Sequence, residues 1–479
     1  MPLCVICAIK VISAEKSYAH AVELAPEYAR AHANHANVLD LLGRSREALD
    51  AANRALAINS SMPDAHCNRS NALRKLARLE EALASIDKAL ELAPHIAVLH
   101  NNRANILRDL QRPKDALDAF DIAIALDPAY AEAHTNRGNV LRDLKRYEEA
   151  IESHNKAIAI APQSPTAYWN KSLVALLTGD YEEGWRLFEW RWQSDSLKNS
   201  VRTFNAPLWL GAEDIHGKTL LVYAEQGYGD TVQFCRYIPQ LLKQNIRIIF
   251  EAPRSLLPLL ITLDGADNIM FVAAGDTIPE FDYQIPLMSL PLVFDTRIET
   301  IPAAPHYLSI SPQRKKRWQK RLGEKARPRI GICWSGRPGQ APDRKRSAAL
   351  ADFAPLFALP FDFHVLQKDV RTEDRELLPC FENLTAYSSE LMDFADTAAL
   401  IGEMDLCLSV DTSVAHVAGA IGATVWLMLP WVAEWRWLAE REDSPWYPTA
   451  ALLRQPDLND WAGLMASTKS RLIAYFQPR

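Results

Sequence analysis

The sequence lacks several features that would assign it to a class of protein at once. No uninterrupted run among its 479 residues reaches the ~18 apolar residues that a membrane helix needs, so we expect no transmembrane segment. Its 7 cysteines lie far apart, which argues against a disulfide framework. Neither sign of charge dominates: 53 Lys and Arg face 59 Asp and Glu, and the net charge of −6 predicts no nucleic-acid partner. We therefore expect a cytoplasmic protein.

The sequence does contain an internal repeat of 34 residues, the period of a helix-turn-helix unit. Asparagine marks the same position of each repeat, at Asn34, Asn68, Asn102, Asn136 and Asn170. A small residue recurs later in the unit, at Ala48, Ala82, Ala116, Ala150 and Gly184. Small residues allow two helices to touch, and a proline after most second helices, such as Pro94, ends them. The pattern predicts an all-α solenoid over residues 1–195.

This unit resembles the tetratricopeptide repeat. The resemblance rests on the small residues above, on His32, His66, His100, His134 and Tyr168, and on Leu42, Leu76, Leu110 and Leu144. About five repeats follow an N-terminal partial repeat, residues 1–28, which lacks a first helix. Two explanations stay open: Met1 is an internal start of a longer gene product, or a half-repeat caps the array.

A second asparagine lies three residues after the first in four repeats, at Asn37, Asn71, Asn105 and Asn139. This spacing places both asparagines on one helical face, so stacked repeats carry two parallel ladders. Amides both donate to and accept from a peptide backbone, which predicts an extended protein or peptide partner along the array. The arrangement is similar to the asparagine ladder of the O-GlcNAc transferase superhelix. In the alternative interpretation, one asparagine per repeat bonds the neighbouring repeat and no ligand is involved.

From residue 219 onward, short β-rich runs alternate with helical stretches, which is typical of parallel α/β units. Strands are predicted at TLLVYA from 219, IRIIFE from 246, IMFVA from 269, YQIP from 283, RIGICWS from 329, FHVLQ from 363, NLTAY from 383, DLCLSV from 405, TVWLML from 424 and ALLRQ from 451. We expect two doubly wound sheet domains, residues 216–315 and 326–479, after a linker over residues 196–215.

Ligands of such sheets lie at the carboxyl ends of the strands, so the residues that follow each strand are the candidates for a site. After the first strand, Gly227, Gly229 and Asp230 open a helix, although Val232 at the third glycine position of a dinucleotide fingerprint disfavours a nicotinamide enzyme. A basic loop follows the strand at 329 and contains Arg337, Arg344, Lys345 and Arg346. Clustered guanidinium groups suit a diphosphate. After the strand at 405, the sequence contains Asp411, Thr412, Ser413 and His416. Free amides at the start of the helix there predict a phosphate or ribose site.

Residues 205–475 resemble the heptosyltransferase family of glycosyltransferases, through the Gly-Asp turn, the basic loop and DTSVAHVAGAIGATVW from Asp411. This resemblance implies a GT-B architecture in which the first sheet holds the acceptor and the second holds a nucleotide sugar. It implies that Asp230 is the general base, that Lys345 or Arg346 binds the donor, and that Asp411 to Ser413 contact its ribose and phosphates.

Sugar transfer from a nucleotide diphosphate needs a base for the acceptor hydroxyl and positive charge for the departing diphosphate. No two aspartates are spaced Asp-x-Asp, so we expect neither a metal nor another cofactor. Three hypotheses remain: an inverting glycosyltransferase whose array recruits a protein, an adapter with a degenerate transferase half, and a transferase acting on a glycan or lipid carrier. Structural roles also stay open, with Asp230 as a helix cap, the basic loop as a solvated loop and His416 as an interior histidine.

Overall fold

The computed structural model describes residues 2–194, 197, 200–336 and 346–477. The chain divides into two compact units, residues 1–174 and 175–479. The first unit is helical, and the second contains two parallel β-sheets with helices. Across the described part of the chain, helices that combine the length and apolar character needed to cross a membrane are absent.

The first unit is an array of helix pairs, as the repeat pattern predicts. Its helices are α1 (Pro2–Leu24), α2 (Ala29–Leu41), α3 (Ser45–Ile58), α4 (Pro63–Lys75), α5 (Leu79–Leu92), α6 (Ala97–Asp109), α7 (Pro113–Leu126), α8 (Ala131–Asp143) and α9 (Tyr147–Ile160), and α10 (Pro165–Thr178) runs across its end. The repeated small residues Ala48, Ala82, Ala116 and Ala150 are fully buried. They allow the close approach of the two helices in each pair, so the predicted helical solenoid is confirmed.

One repeat carries a compensating pair of substitutions in its core. His154 on α9 occupies the position that Phe120 fills in the preceding repeat, and Gly138 on α8 occupies the position of Ala104. A methyl group added at Gly138 would lie 2.6 Å from the imidazole of His154, so glycine makes room for the ring. Both ring nitrogens of His154 are buried without a hydrogen-bond partner in the part of the chain that is described. Burial, with the charge of Arg142, lowers the pKa of His154 to about 3.

The second unit begins with aromatic residues that bury within it. Helix α11 (Tyr181–Phe188) carries Trp185, whose ring centroid lies 5.2 Å from that of Trp435. The indole nitrogen of Trp446 donates a 3.1 Å hydrogen bond to the Tyr181 hydroxyl. These contacts explain why the structure places α11 in the second unit, whereas the repeat pattern includes it in residues 1–195.

All ten predicted strands are confirmed, and they form two parallel sheets. The first sheet contains β1 (Thr219–Tyr223), β2 (Arg247–Ala252), β3 (Ile269–Ala273) and β4 (Tyr283–Pro286), in the order β3-β2-β1-β4. The second contains β5 (Arg329–Cys333), β6 (Asp362–Val365), β7 (Leu384–Ala386), β8 (Leu406–Val410), β9 (Val425–Leu429) and β10 (Ala450–Arg454), in the order β10-β9-β8-β5-β6-β7. Strands β5, β8 and β9 are buried along their whole length, as expected of parallel strands covered on both faces.

Helices surround these sheets. They are α12 (Tyr228–Phe234), α13 (Ile238–Leu242), α14 (Leu257–Leu260), α15 (Leu290–Val293), α16 (Pro312–Leu322), α17 (Ala354–Phe357), α18 (Thr372–Leu377), α19 (Phe394–Ile401), α20 (Ser413–Ala420) and α21 (Trp461–Phe476). Successive strands are added on the opposite side of the sheet after the switch point, which lies between β1 and β4 in the first sheet and between β5 and β8 in the second. Loops diverge at such switch points and leave a crevice at the carboxyl ends of the strands.

We predict that His154 makes the helical array less stable in mild acid. In the unfolded chain this imidazole binds a proton when the pH falls below its ordinary pKa of about 6.5, whereas in the folded chain it stays neutral to a lower pH. The free energy of unfolding is therefore unaffected by His154 above about pH 6.5 and decreases as the pH falls below that value. The loss at pH 5 should be about 2 kcal/mol. Hydrogen exchange of α8 and α9 at pH 7 and pH 5 measures it. In His154→Phe the extra loss should disappear, and equal pH dependence in both proteins would contradict the prediction.

Candidate functional site

A cleft of about 300 Å³ lies at the carboxyl ends of the strands in the second unit. Both sheets contribute to its lining, with Tyr228 and Ser255 from the first, and Ser335, Gln367, Thr412 and Ser413 from the second. The side-chain oxygen of Gln367 accepts hydrogen bonds from the backbone of Trp334, at 3.0 Å, and Ser335, at 3.3 Å. These bonds join the segments after β5 and β6, so the wall of the cleft on that side is preorganised.

Asp230 lies in the first turn of α12 and holds two contacts. One carboxylate oxygen accepts a 2.8 Å hydrogen bond from the Gly227 backbone N–H, which caps the helix. The other oxygen forms an ion pair with Arg436, from the segment after β9. The Asp230 side chain remains 18% exposed. The predicted base therefore has an access path to solvent, and it is also a helix cap.

Gly229 sets the distance between this turn and the second sheet. A methyl group added there would lie 2.6 Å from the imidazole of His416, on α20. Glycine is therefore needed for the close approach of the two segments. The turn at Gly227 to Asp230 and the DTSVAH segment, which are about 180 residues apart in the sequence, pack directly against each other.

Two of the four predicted residues around α20 line the cleft, and two lie behind it. Thr412 and Ser413 line the cleft, and the Thr412 hydroxyl lies 3.2 Å from the Ser409 hydroxyl. Asp411 and His416 are buried, with His416 Nε2 3.8 Å from an Asp411 carboxylate oxygen. The other ring nitrogen, Nδ1, is 2.8 Å from the Tyr447 hydroxyl. His416 thus has the contacts of an interior histidine.

The electrostatics of this buried pair follow from the charges around it. Burial, with the nearby charge of Glu434, raises the pKa of Asp411 to about 6, against the opposing effect of Arg346 and Arg436. Burial, with the charge of Arg436, lowers the pKa of His416 well below its ordinary value. The imidazole is therefore neutral at pH 7 and does not add positive charge for a phosphate.

Arg346 is the only residue of the predicted basic loop within the described ranges; Arg337, Arg344 and Lys345 lie outside them. The charge of Arg346 acts on both Asp411 and His416, which places it beside α20. Its Nε is buried and has no hydrogen-bond partner among the described residues. Arg346 therefore has an unused donor next to the cleft.

Arg436 is a central residue that sequence reasoning missed. Its guanidinium group forms ion pairs with Asp230 and Glu434, and its Nε donates a 2.8 Å hydrogen bond to the Gln233 side chain. Burial acts to lower the pKa of Arg436, but the carboxylates of Asp230, Glu434 and Asp411 outweigh this effect and raise it. The only sequence signal was its position between two tryptophans, in a segment that reads as interior packing.

A second buried arginine fixes the carboxyl end of β1. Arg191 donates to Glu225 at 3.0 and 3.2 Å, to Glu189 at 2.6 Å and to the Ser289 hydroxyl at 2.7 Å. Burial raises the pKa of Glu225 to about 7, although Arg191 opposes the shift. This network holds the strand end from which the Asp230 turn begins.

Among the described residues, groups of three or more His, Cys, Asp or Glu that could hold a metal ion are absent.

In the first unit, the two asparagine ladders differ in their contacts. The first ladder bonds backwards to the preceding repeat: the amide nitrogens of Asn68, Asn102 and Asn136 donate to Ala33 O at 2.9 Å, Cys67 Sγ at 3.3 Å and Asn101 Oδ1 at 3.2 Å. Asn34, at the start of this ladder, is exposed.

In the second ladder, Asn37 is exposed, and Asn105 and Asn139 are half-buried. These three side chains have no hydrogen-bond partner among the described residues, and Asn71 makes only a long, 4.0 Å contact to Cys67 Sγ. The second ladder therefore keeps its amides available, whereas the first joins the repeats.

Comparison with known proteins identifies the repeats. Family models of the tetratricopeptide repeat match residues 63–96 and 101–165. Protein FlbA of Caulobacter vibrioides is 25% identical in an alignment 336 residues long that covers 63% of this chain. This chain spans about half, 54%, of the length of that relative.

Solved structures with similar segments include two tetratricopeptide-repeat proteins. YrrB, described as having an unusual peptide-binding site, is 23% identical over 38% of this chain and 93% of its own, with a TM-score of 0.30. A thermophilic repeat protein of Thermus thermophilus, TTC0263, is 21% identical over 36% of this chain and 95% of its own, with a TM-score of 0.34. The family matches confirm tetratricopeptide repeats in the first unit, and these repeats indicate a protein-interaction function.

Proposed function

We propose that the second unit is a glycosyltransferase of GT-B architecture that transfers a sugar from a nucleotide-diphosphate donor to an acceptor hydroxyl. The observation that carries this proposal is that candidate residues from both sheets lie in or next to the cleft. Thr412 and Ser413, from the second sheet, line it. Asp230 does not line it but lies two residues after the lining residue Tyr228 in α12, and Arg346 is close enough for its charge to act on Asp411. A cavity of about 300 Å³ is at the lower end of the size range of small-molecule sites.

The proposed reaction assigns one task to each group. The acceptor oxygen attacks the anomeric carbon of the donor, and its proton moves to the Asp230 carboxylate. The bond between the anomeric carbon and the diphosphate oxygen breaks, and its electron pair leaves with the diphosphate. Attack from the face opposite the leaving group inverts the anomeric configuration.

Stabilising the departing diphosphate requires positive charge and hydrogen-bond donors. The unused Nε–H of Arg346 supplies one such donor, and guanidinium groups bind phosphate oxygens in a fork geometry. The backbone amides that open α20 at Ser413 face the cleft region and favour an anion. These donors support a reaction that needs no metal ion.

For the first unit, we propose that the second ladder holds an extended segment of a protein acceptor or partner. Its asparagines have free amides, which can pair with both the N–H and the C=O groups of a peptide backbone. The first ladder is engaged between repeats and would hold the spacing of the second.

One observation favours the second candidate function, an adapter whose transferase half only binds. Both carboxylate oxygens of Asp230 already have a partner, Gly227 for one and Arg436 for the other. A structural role, in which the Asp230 carboxylate connects the two sheets, would explain both of these contacts without catalysis.

The transferase proposal makes separate predictions for Arg346 and Asp230, and only the effect on turnover distinguishes it from the adapter. In a transferase, Arg346→Ala should weaken nucleotide binding at least about tenfold, because a charge-assisted contact contributes about 1.5–3 kcal/mol. Asp230→Asn should not weaken nucleotide binding, but it should lower turnover by about 10²–10⁴, the usual contribution of a general base. Calorimetry and release of nucleotide from the sugar donor measure the two effects. Unchanged turnover in Asp230→Asn would exclude Asp230 as the base.

The ladder proposal predicts a split between binding and stability. Asn105→Ala with Asn139→Ala should weaken capture of peptides selected on the intact chain from a random displayed library by about tenfold, from two lost hydrogen bonds. The thermal midpoint of this double variant should equal that of the wild type. The matched variant, Asn68→Ala with Asn102→Ala, should lower the thermal midpoint because it removes bonds between repeats. Undiminished peptide affinity in the first variant would refute the ladder proposal.

A further inference from the structure

Resting on the proposed transferase, we infer that Arg436 is a binding group for the diphosphate, and that Asp230 occupies it until the donor arrives. Donor binding then exchanges one anion for another on the same guanidinium group and frees the Asp230 carboxylate to accept a proton. This exchange would make donor binding the step that activates the base.

The position of Arg436 is fixed by contacts that do not involve Asp230. Its Nε donates to Gln233 at 2.8 Å, and its guanidinium carbon lies 4.3 Å from the ring centroid of Trp435. A hydrogen bond and a stacked ring together fix the plane of a guanidinium group. The terminal nitrogens of Arg436 therefore keep their orientation when the anion in front of them changes.

The anion now in front of Arg436 belongs to a different segment of the chain. Asp230 lies at the start of α12 and Arg436 follows β9, so the pair joins the loops of the two sheets next to the cleft. Asp230 is also the more exposed partner, at 18% against 7% for the arginine side chain. A ligand that enters from solvent reaches the carboxylate side of this pair.

A diphosphate suits the surroundings of Arg436 better than a single carboxylate. Arg346 and Arg436 both act on Asp411, which lies directly before the cleft residues Thr412 and Ser413. Two guanidinium groups that both act on one carboxylate provide enough positive charge for two linked phosphate groups. The negative charges of Asp411 and Glu434 repel an anion at this position. Burial and the charge of Glu434 raise the pKa of Asp411 to about 6, so protonation of Asp411 in mild acid would weaken this repulsion.

The exchange also resolves the conflict at Asp230. A general base needs a lone pair directed at the acceptor, whereas the Arg436 contact occupies one oxygen and the Gly227 contact occupies the other. When Arg436 pairs with the diphosphate instead, one Asp230 oxygen is freed and the helix cap at Gly227 stays in place. The adapter interpretation has no need for such a release.

The test is a double-mutant cycle on binding of ADP, GDP and UDP to the intact chain, measured by calorimetry. Asp230→Asn keeps an oxygen for the Gly227 cap but removes the competing charge. It should therefore tighten nucleotide binding by about fivefold, the equivalent of about 1 kcal/mol. Arg436→Gln should weaken binding by about tenfold. The double variant should bind like Arg436→Gln alone, because the competition needs both partners.

Asp352 offers a matched control for the cap. Its carboxylate accepts a 2.8 Å hydrogen bond from the Ala349 backbone N–H, the same contact that Asp230 makes with Gly227. Asp352→Asn should leave nucleotide affinity unchanged. If it tightens binding as Asp230→Asn does, the effect comes from a helix cap and the inference is wrong.

The remaining outcomes separate this inference from the proposed function. If a nucleotide binds wild type and Asp230→Asn equally, Arg436 is structural and the exchange is refuted, while the transferase proposal stands. If no nucleotide binds any of the proteins, both fail. Because Asp230→Asn alone can refute the exchange, the test does not depend on the folding of Arg436→Gln.

Discussion

The second unit depends on the requirement that a buried guanidinium group be fully paired. A buried charge without partners destabilises a fold by several kcal/mol, so the segment that carries Arg436 must meet acceptors where it enters the interior. It meets Asp230, Glu434 and Gln233, and two of these three belong to the first sheet's α12. The same requirement therefore brings the candidate base against the second sheet, and it fixes the position of the turn after β1.

The first unit is organised by local contacts that repeat. The helix pairs pack through fully buried alanines, and three repeats bond the one before them through the amide of Asn68, Asn102 or Asn136. Stability in such arrays is roughly a sum over repeats and their interfaces. An array of this kind can leave one set of asparagines open to a partner, because another set already bonds the repeats to each other. His154 shows that its core also tolerates an unpaired polar ring, where Gly138 provides the space.

Much of this architecture was predictable because it depends on patterns along the chain. The 34-residue period predicts the helix pairs, and the runs of β-branched and aromatic residues predict all ten strands. Spacing alone cannot separate the two asparagine ladders, since both lie on one helical face. The bonds of Asn68, Asn102 and Asn136 to the preceding repeat show which ladder joins the repeats. Arg436 was missed for a different reason. It lies 206 residues from Asp230 in the sequence, and no local pattern reports a pairing over that distance.

We propose that the cleft of the second unit binds a nucleotide diphosphate without a metal ion. Calorimetric titration of the intact chain with UDP, GDP, ADP and their common sugar conjugates, in the presence of a chelator, tests it most directly. We expect one nucleotide to bind saturably, with its affinity reduced in Arg346→Ala. No saturable binding by any member of this panel would contradict the claim and would leave a protein-interaction function for the chain.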